Sequence, residues 1–147
     1  MIKVKELDYE HSQWFVETAA VNMLVYEVKR PELVNIKNLY NLALQGIKDR
    51  TAWVAFKDDI PVGALGSLIL PNVFNPELAS LAEVFWYVLP EHRRSRAGLL
   101  LLDVFDECGK QRAYDSTLSL LGSSEVNDKT LARKGFYLAE KGYRKEY

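Results

Sequence analysis

Three arginines in a short turn, Arg93, Arg94 and Arg96, are the residues of this chain best suited to chemistry with an anion. They follow an apolar segment, 81–89, and precede another, 97–102. A turn from a strand into a helix places the first backbone N–H groups of that helix beside the arginines. Those groups lack partners within the helix and carry partial positive charge. The stretch therefore predicts a site for a phosphate or pyrophosphate group on a cofactor.

Glu83 is the candidate for proton transfer, because it is the only carboxylate in the apolar segment 81–89. Burial among apolar neighbours raises the pKa of a carboxyl group and makes it a better base at neutral pH. The alternative is a glutamate at a strand edge, solvated or paired with an arginine.

The whole chain is ordinary in composition, with 147 residues of which 48% are hydrophobic and 27% charged, and one domain over residues 1–147 is expected. The net charge of −1 gives no reason to invoke nucleic acid or a membrane surface. A single cysteine excludes an internal disulfide, and with two histidines it makes a metal site improbable. The start of the chain lacks a signal sequence and the apolar runs are too short to span a bilayer, so the cytoplasm is the expected compartment.

The hydrophobic pattern predicts an α/β fold, with a mixed, mainly antiparallel sheet of about seven strands flanked by about four helices. The predicted strands are 2–5, 51–56, 60–70, 81–89, 117–121, 136–139 and 143–147. The predicted helices run from Asp8 or Ser12 to Leu24, from Pro31 to Ile47, and over 97–112 and 125–134.

The arginine-rich turn also matches a family motif, which reads Arg or Gln, two residues, Gly, one residue, then Gly or Ala. Arg93 and Gly98 occupy its first and last positions, and Arg96 stands where the motif has its middle glycine. In these residues the chain resembles the GNAT superfamily of acyl-CoA-dependent N-acyltransferases. A glycine at the middle position lets the backbone approach a pyrophosphate closely, so Arg96 must keep its side chain clear of the cofactor or use it on a phosphate.

Two further segments support the resemblance. Pro90-Glu91-His92-Arg93 resembles the family's Pro-x-x-Arg after the fourth strand. Asn127, followed by the segment 131–136 that ends in Gly135-Phe136, resembles its second signature.

The resemblance implies that an acetyl group passes from acetyl-CoA to a primary amine by direct attack, with no metal. The acceptor would be a small amine or a protein lysine or N-terminus. Acetyl-CoA would bind where the fourth and fifth strands separate. The implied cofactor contacts are Tyr87, Val88, Arg93, Arg94, Ser95, Arg96, Ala97, Gly98, Leu99 and Asn127.

The resemblance also assigns catalytic roles. Glu83 would be the general base. Ala132 stands where the family usually has a tyrosine acid, so Tyr137 and Tyr143 are the alternative acids, unless they only pack in a terminal strand. Trp86, near a bulge common in the family, would line the acceptor or thioester pocket, unless it is plain core.

Several alternatives stay open. Asn127 could bind the pantetheine arm or cap a helix, and Ser123 or Ser124 could cap that helix instead. Glu27 and Glu32 are compatible with a cationic acceptor.

The function has alternatives as well. Arg96 and Ala132 are compatible with a catalytically degenerate binding or structural protein of the same fold, or with a regulator that binds CoA without turnover. Nucleic acid is a weaker alternative for the arginines. A homodimer could form through the C-terminal strand that ends at Tyr147.

Overall fold

The computed structural model describes residues 1–120 and 126–147, and a five-stranded sheet forms the centre of this part of the chain. The strands lie side by side in chain order; the first four are antiparallel, and the fifth is parallel to the fourth. This confirms the predicted α/β class with a mainly antiparallel sheet. The strands are β1 (Ile2–Glu6), β2 (Ala52–Lys57), β3 (Ile60–Pro71), β4 (Ala79–Val88) and β5 (Asp115–Thr117).

Four helical segments lie among the described residues. The first, α1, winds through Tyr9–His11 as a 3-10 turn and continues through Trp14–Ala20 and Met23–Glu27 with π-helical hydrogen bonds. The others are α2 (Ile36–Asp49), α3 (Ala97–Arg112) and α4 (Asp128–Arg133). None of these described helices is long and apolar enough to cross a membrane.

The helix starts follow their capping residues. The Asp8 side chain accepts a hydrogen bond from the His11 backbone N–H at 3.0 Å, so Asp8 opens α1 as expected. The prediction that a long helix begins at Pro31 is wrong, since Pro31–Leu33 forms only a 3-10 turn. Asn35 caps α2 by accepting from the Asn38 N–H at 3.0 Å, and its extended backbone separates the turn from the helix.

The predicted count of seven strands is wrong. Residues 136–147 form no strand, so the expected final hairpin over 136–139 and 143–147 is absent from this described segment. The reason lies in burial: the Tyr137, Tyr143 and Tyr147 side chains are exposed, so the alternating pattern buries no face. The strand expected over 117–121 ends at Thr117; 118–120 are irregular and position 121 lies outside the described residues.

The core has two layers, one on each face of the sheet. On one face α1 and α2 cover a cluster that includes Phe15, Val16, Val54, Phe85 and Tyr87. On the other face α3 covers a cluster that includes Leu65, Leu81, Leu101, Leu102 and Phe105. The sheet is therefore buried on both faces, as its apolar strands require.

A bulge interrupts β4 beside Glu83. Ser67 of β3 pairs with Glu83, but its neighbour Gly66 pairs with Phe85, so Val84 is an extra residue on β4. The extra residue changes which side chains face which layer: Leu81 packs on the α3 face, whereas Phe85 packs on the α1 face. The bulge implied by the resemblance is thus present.

Gly46 allows α2 to lie close to β2. A Cβ added at Gly46 would lie 2.7 Å from the Cβ of Ala52.

We expect Gly46→Ala to lower the free energy of unfolding by about 1–3 kcal/mol, because strain from overpacking exceeds the gain in helix propensity of about 1 kcal/mol. Urea denaturation measures the change. Gly142→Ala is the control, since a Cβ there has no neighbour within 4 Å; a Gly46→Ala variant more stable than wild type would contradict the packing argument.

Candidate active site

β4 and β5 pair only over a short stretch and then separate. Residues 80–82 of β4 pair with 115–117 of β5, and the Ser80 hydroxyl donates to Asp115 Oδ1 at 2.5 Å. Beyond this point a cleft of about 290 Å³ opens. Four elements line it: the end of α1, the second half of β4, the turn with the start of α3, and the chain after β5. The lining residues are Met23, Leu24, Glu27, Val28, Glu83, Val84, Phe85, Trp86, Tyr87, Val88, Arg93, Gly98, Ser119 and Val126.

One backbone edge of β4 faces this cleft. The Leu89 N–H donates to the Val62 carbonyl at 2.9 Å, so that pair is hydrogen-bonded across β3 and β4. Because antiparallel pairs alternate, the backbone groups of Val88 and Trp86 point to the other edge. That edge has no strand partner among the described residues. It can pair with an extended ligand that carries amide groups.

Glu83 lies half-buried in the cleft wall, directly before the bulge. Its Oε1 accepts a hydrogen bond from the Ser119 backbone N–H at 3.2 Å, across the gap between the separated strands. Burial raises the pKa of Glu83 to about 7, against the opposing effect of the Ser119 hydrogen bond. Its polar partner is thus an amide rather than an arginine, and its carboxyl group can exchange a proton near neutral pH.

Arg93 also lines the cleft, but its side chain holds the wall together. Its Nε donates to the Val88 carbonyl at 2.9 Å, and its Nη2 forms an ion pair with Glu27 of α1. Its guanidinium carbon lies 5.4 Å from the Tyr87 ring centroid. Arg93 thus joins β4 to α1 through Glu27. The use of this side chain on a phosphate stays a prediction.

The turn before α3 is compatible with an anion. The Ser95 hydroxyl donates to the His92 carbonyl at 2.6 Å and accepts from the Ala97 N–H at 3.2 Å, which fixes the turn. Arg96 has φ −87 and ψ 10, a conformation open to any residue, and its side chain is exposed. Its position therefore does not require glycine.

The start of α3 supplies the donors for an anion. The N–H groups of Gly98 and Leu99 have no acceptor within the helix, by helix geometry, and Gly98 lines the cleft. The exposed side chains of Arg94 and Arg96 lie on the same turn. Together these groups fit a pyrophosphate.

Three predicted residues on β4 meet at the cleft: Trp86, Tyr87 and Val88 all line it. Tyr87 and Val88 are almost completely buried. Trp86 is half-buried and also packs against the core under α3. It is therefore both a residue of the cleft wall and a residue of the core, the two roles considered for it from the sequence.

The remaining predicted residues lie elsewhere. Asn127 caps α4, because its Oδ1 accepts from the Thr130 N–H at 3.0 Å, and it does not line the cleft. Ser123 and Ser124, the other capping candidates, lie outside the described residues. Tyr137 and Tyr143 are 85% and 93% exposed and do not line the cleft, so the structure does not bring either proposed acid to Glu83.

Several lining residues escaped the sequence argument, Ser119 among them, and Glu27 was expected only as a residue compatible with a cationic acceptor. Ser119 contributes through its backbone N–H, which no residue type reveals. Glu27 could be linked to Arg93 only through the fold, since the two lie 66 positions apart in the chain. Glu32, the other acidic residue that is compatible with a cationic acceptor, lies 3.3 Å from the Arg30 guanidinium.

The ion pair between Arg93 and Glu27 predicts a stability difference between neighbouring arginines. We expect Arg93→Ala to lower the free energy of unfolding by about 3 kcal/mol, since it leaves Glu27 partly buried without its cation. Arg94→Ala is the matched control, because Arg94 is exposed on the same turn, and it should change stability by less than about 0.5 kcal/mol. Urea denaturation measures both, and equal effects of the two substitutions would refute a structural role for Arg93.

Comparison with solved structures places this fold among acetyltransferases. A predicted acetyltransferase from Clostridium acetobutylicum, solved with acetyl-CoA, superposes with a TM-score of 0.76 at 14% identity, over 99% of this chain and 96% of that one. A ribosomal-protein-alanine N-acetyltransferase from Brucella melitensis biovar Abortus 2308 gives 0.70 at 19% identity, over 100% and 99%. An aminoglycoside acetyltransferase from an uncultured soil metagenomic sample, in complex with sisomicin, gives 0.66 at 19% identity, over 99% and 94%.

The sequence itself carries the family assignment. No curated protein sequence matches the chain. The family model described as the acetyltransferase (GNAT) family matches residues 12–143, which include α1 from Ser12 onward, the sheet from β2 to β5, the arginine-rich turn and α4. The chain therefore belongs to the GNAT acetyltransferase family.

Proposed function

We propose that this protein is an N-acetyltransferase that moves the acetyl group of acetyl-CoA to a primary amine, with Glu83 as the general base. The observation that carries the proposal is the position of Glu83. Its carboxyl group, with a pKa of about 7, lies in the wall of the cleft that opens where β4 and β5 separate. Gly98 at the start of α3 and Arg93 of the turn line the same cleft.

The residues of the cleft fit acetyl-CoA, which supplies an acetyl group activated as a thioester. The unpaired backbone edge at Trp86 would hydrogen-bond the amides of the pantetheine arm. The N–H groups of Gly98 and Leu99 would bind the pyrophosphate, with the exposed side chains of Arg94 and Arg96 beside it. Since most of these contacts come from the backbone, an arginine at the middle glycine position of the motif is compatible with binding.

Glu83 would prepare the acceptor. A primary amine is mainly an ammonium ion at neutral pH and has no free lone pair until a proton leaves. The Glu83 carboxylate takes that proton, directly or through water. No tyrosine is needed in this proposal, because a thiolate can depart without an acid. Tyr137 and Tyr143, both exposed, are given no role in it.

The competing hypothesis of a catalytically inactive binding protein is less well supported. It requires the cleft to be filled by side chains such as Trp86 or Arg96. Arg96 is exposed and does not line the cleft, and the cleft has a volume of about 290 Å³ with Trp86 in its wall. An enzyme needs this open space.

The class of acceptor is part of the proposal. The two similar structures named for their acceptors act on an aminoglycoside and on ribosomal protein alanine, so the fold alone admits both a small molecule and a protein.

One domain over residues 1–147, a cytoplasmic location and a homodimer stay predictions.

Binding of acetyl-CoA is the first test. We expect wild-type protein to bind acetyl-CoA and free CoA with micromolar affinity in isothermal titration calorimetry. Gly98→Trp should weaken binding by about 100-fold or more, because the side chain would occupy the cleft beside the N–H donors. Gly142→Trp, in the exposed C-terminal segment, is the control and should bind as wild type does. Absence of wild-type binding at millimolar ligand would overturn the proposed function.

The role of Glu83 predicts a pH dependence. We expect the wild-type kcat to rise with pH and level off above about 7, because only the deprotonated carboxylate accepts the proton. Glu83→Gln should lower kcat by about 100-fold or more and remove this dependence. Glu91→Gln, an exposed glutamate of the nearby turn, is the matched control. Equal turnover by Glu83→Gln and wild type at every pH would remove Glu83 from the mechanism.

A further inference from the structure

A second pocket, of about 230 Å³, lies on the face of the sheet that α1 and α2 cover. It is defined here as the apolar pocket. Its lining comes from both helices, from Leu33 of the 3-10 turn between them, and from β2, β3 and β4.

The apolar pocket has no charge of its own. None of the described residues that line it is acidic or basic, and the two polar side chains are Asn38 and Ser67. The Ser67 hydroxyl is already used, since it donates to the Thr51 carbonyl at 2.6 Å. Of the glutamates close in the chain to this lining, Glu17 accepts a hydrogen bond from Tyr40, and Glu27 and Glu32 are engaged by Arg93 and Arg30. Glu83 lines the neighbouring cleft and not this pocket. A second ammonium group on an acceptor would therefore meet no carboxylate here, and its burial would be costly.

The apolar pocket adjoins the cleft that holds Glu83. Met23, Leu24, Val84 and Phe85 line both spaces. Val84 is the bulge residue and follows Glu83 directly. A group in the apolar pocket and an amine beside Glu83 can thus belong to one small molecule.

The lining suits an aromatic ring. Phe15 and Phe85 already pack edge to face, with centroids 4.8 Å apart, and Met23 adds a polarisable sulfur. Rings favour such edge-to-face and sulfur contacts. A benzene molecule occupies an engineered apolar cavity of about 150 Å³ in another protein, so about 230 Å³ has room for a ring and a short linker.

We propose that the apolar pocket binds the ring of the acceptor, and that the acceptor is a primary monoamine with one aromatic ring on a short alkyl linker. This inference rests on the proposed function, since it names the substrate class of that site. It separates this chain from relatives that act on polycationic acceptors.

The first experiment compares three amines with wild-type protein and acetyl-CoA: phenethylamine, ethylamine and spermidine. We expect kcat/KM for phenethylamine to exceed that for ethylamine by about 100-fold, the effect of burying one ring. Spermidine should be no better than ethylamine. If spermidine or ethylamine is acetylated as well as phenethylamine, the pocket assignment is wrong while acetyl transfer stands.

The second experiment fills the pocket. Leu42→Trp should lower the ratio of kcat/KM for phenethylamine to kcat/KM for ethylamine by at least about 10-fold, because only the ring needs the space. Leu44→Trp is the matched control: Leu44 lies on the same helix, is 45% exposed and does not line the pocket. A misfolded Leu42→Trp would lose both activities together, and Leu42→Phe then provides a milder filling.

A third measurement is independent of turnover. Fluorine NMR with 4-fluorophenethylamine should show line broadening with wild type and Leu44→Trp, and much less with Leu42→Trp. Broadening without acetylation of any amine would retain the pocket and reject the proposed function. No broadening with wild type, with or without CoA, would overturn the pocket assignment.

Discussion

The unpaired edge of β4 is the constraint on which the rest of the site depends. Backbone N–H and C=O groups that lie away from water need partners, and β5 supplies them only as far as Ala82. Two side chains form hydrogen bonds at the two ends of the part of β4 that β5 does not cover. Glu83 accepts from the Ser119 amide at the near end, and Arg93 donates to the Val88 carbonyl at the far end. Between them the strand presents backbone groups to the cleft, and no strand in the described ranges 1–120 and 126–147 pairs with them.

Glu83, at the end of this stretch that lies closer to β5, lowers the free energy of unfolding at neutral pH. The pKa of Glu83 is about 7 in the folded chain against 4.5 for an unburied glutamate, so the folded state retains a proton that the unfolded state loses. This contribution to stability falls as pH rises from about 4.5 to about 7 and then stays constant. A residue of this kind is unfavourable for folding at neutral pH, and such residues concentrate at functional sites.

The sequence predicts what is local. The helix over 97–112 matches α3, and the strand over 81–89 matches β4 within two residues, because apolar periodicity and flanking turn residues define both. It does not predict the partners of Arg93 and Glu83, which come from distant segments. The predicted C-terminal hairpin is wrong for a different reason. Its alternating pattern is a local signal for a strand, but a strand also needs a neighbouring strand and a face to bury, and residues 136–147 have neither in the structure.

The two halves of the site differ in what a substitution can change. The half that would bind the cofactor relies on backbone groups at Trp86, Gly98 and Leu99, so an arginine in place of a glycine is compatible with it. The fold that positions this backbone is shared with structures that are 14% to 19% identical. The half on the α1 face relies on side chains, which change freely without disturbing the sheet. Met23 and Phe85 belong to both halves. Acceptor choice can therefore diverge through the side chains of the second half while the fold remains the same.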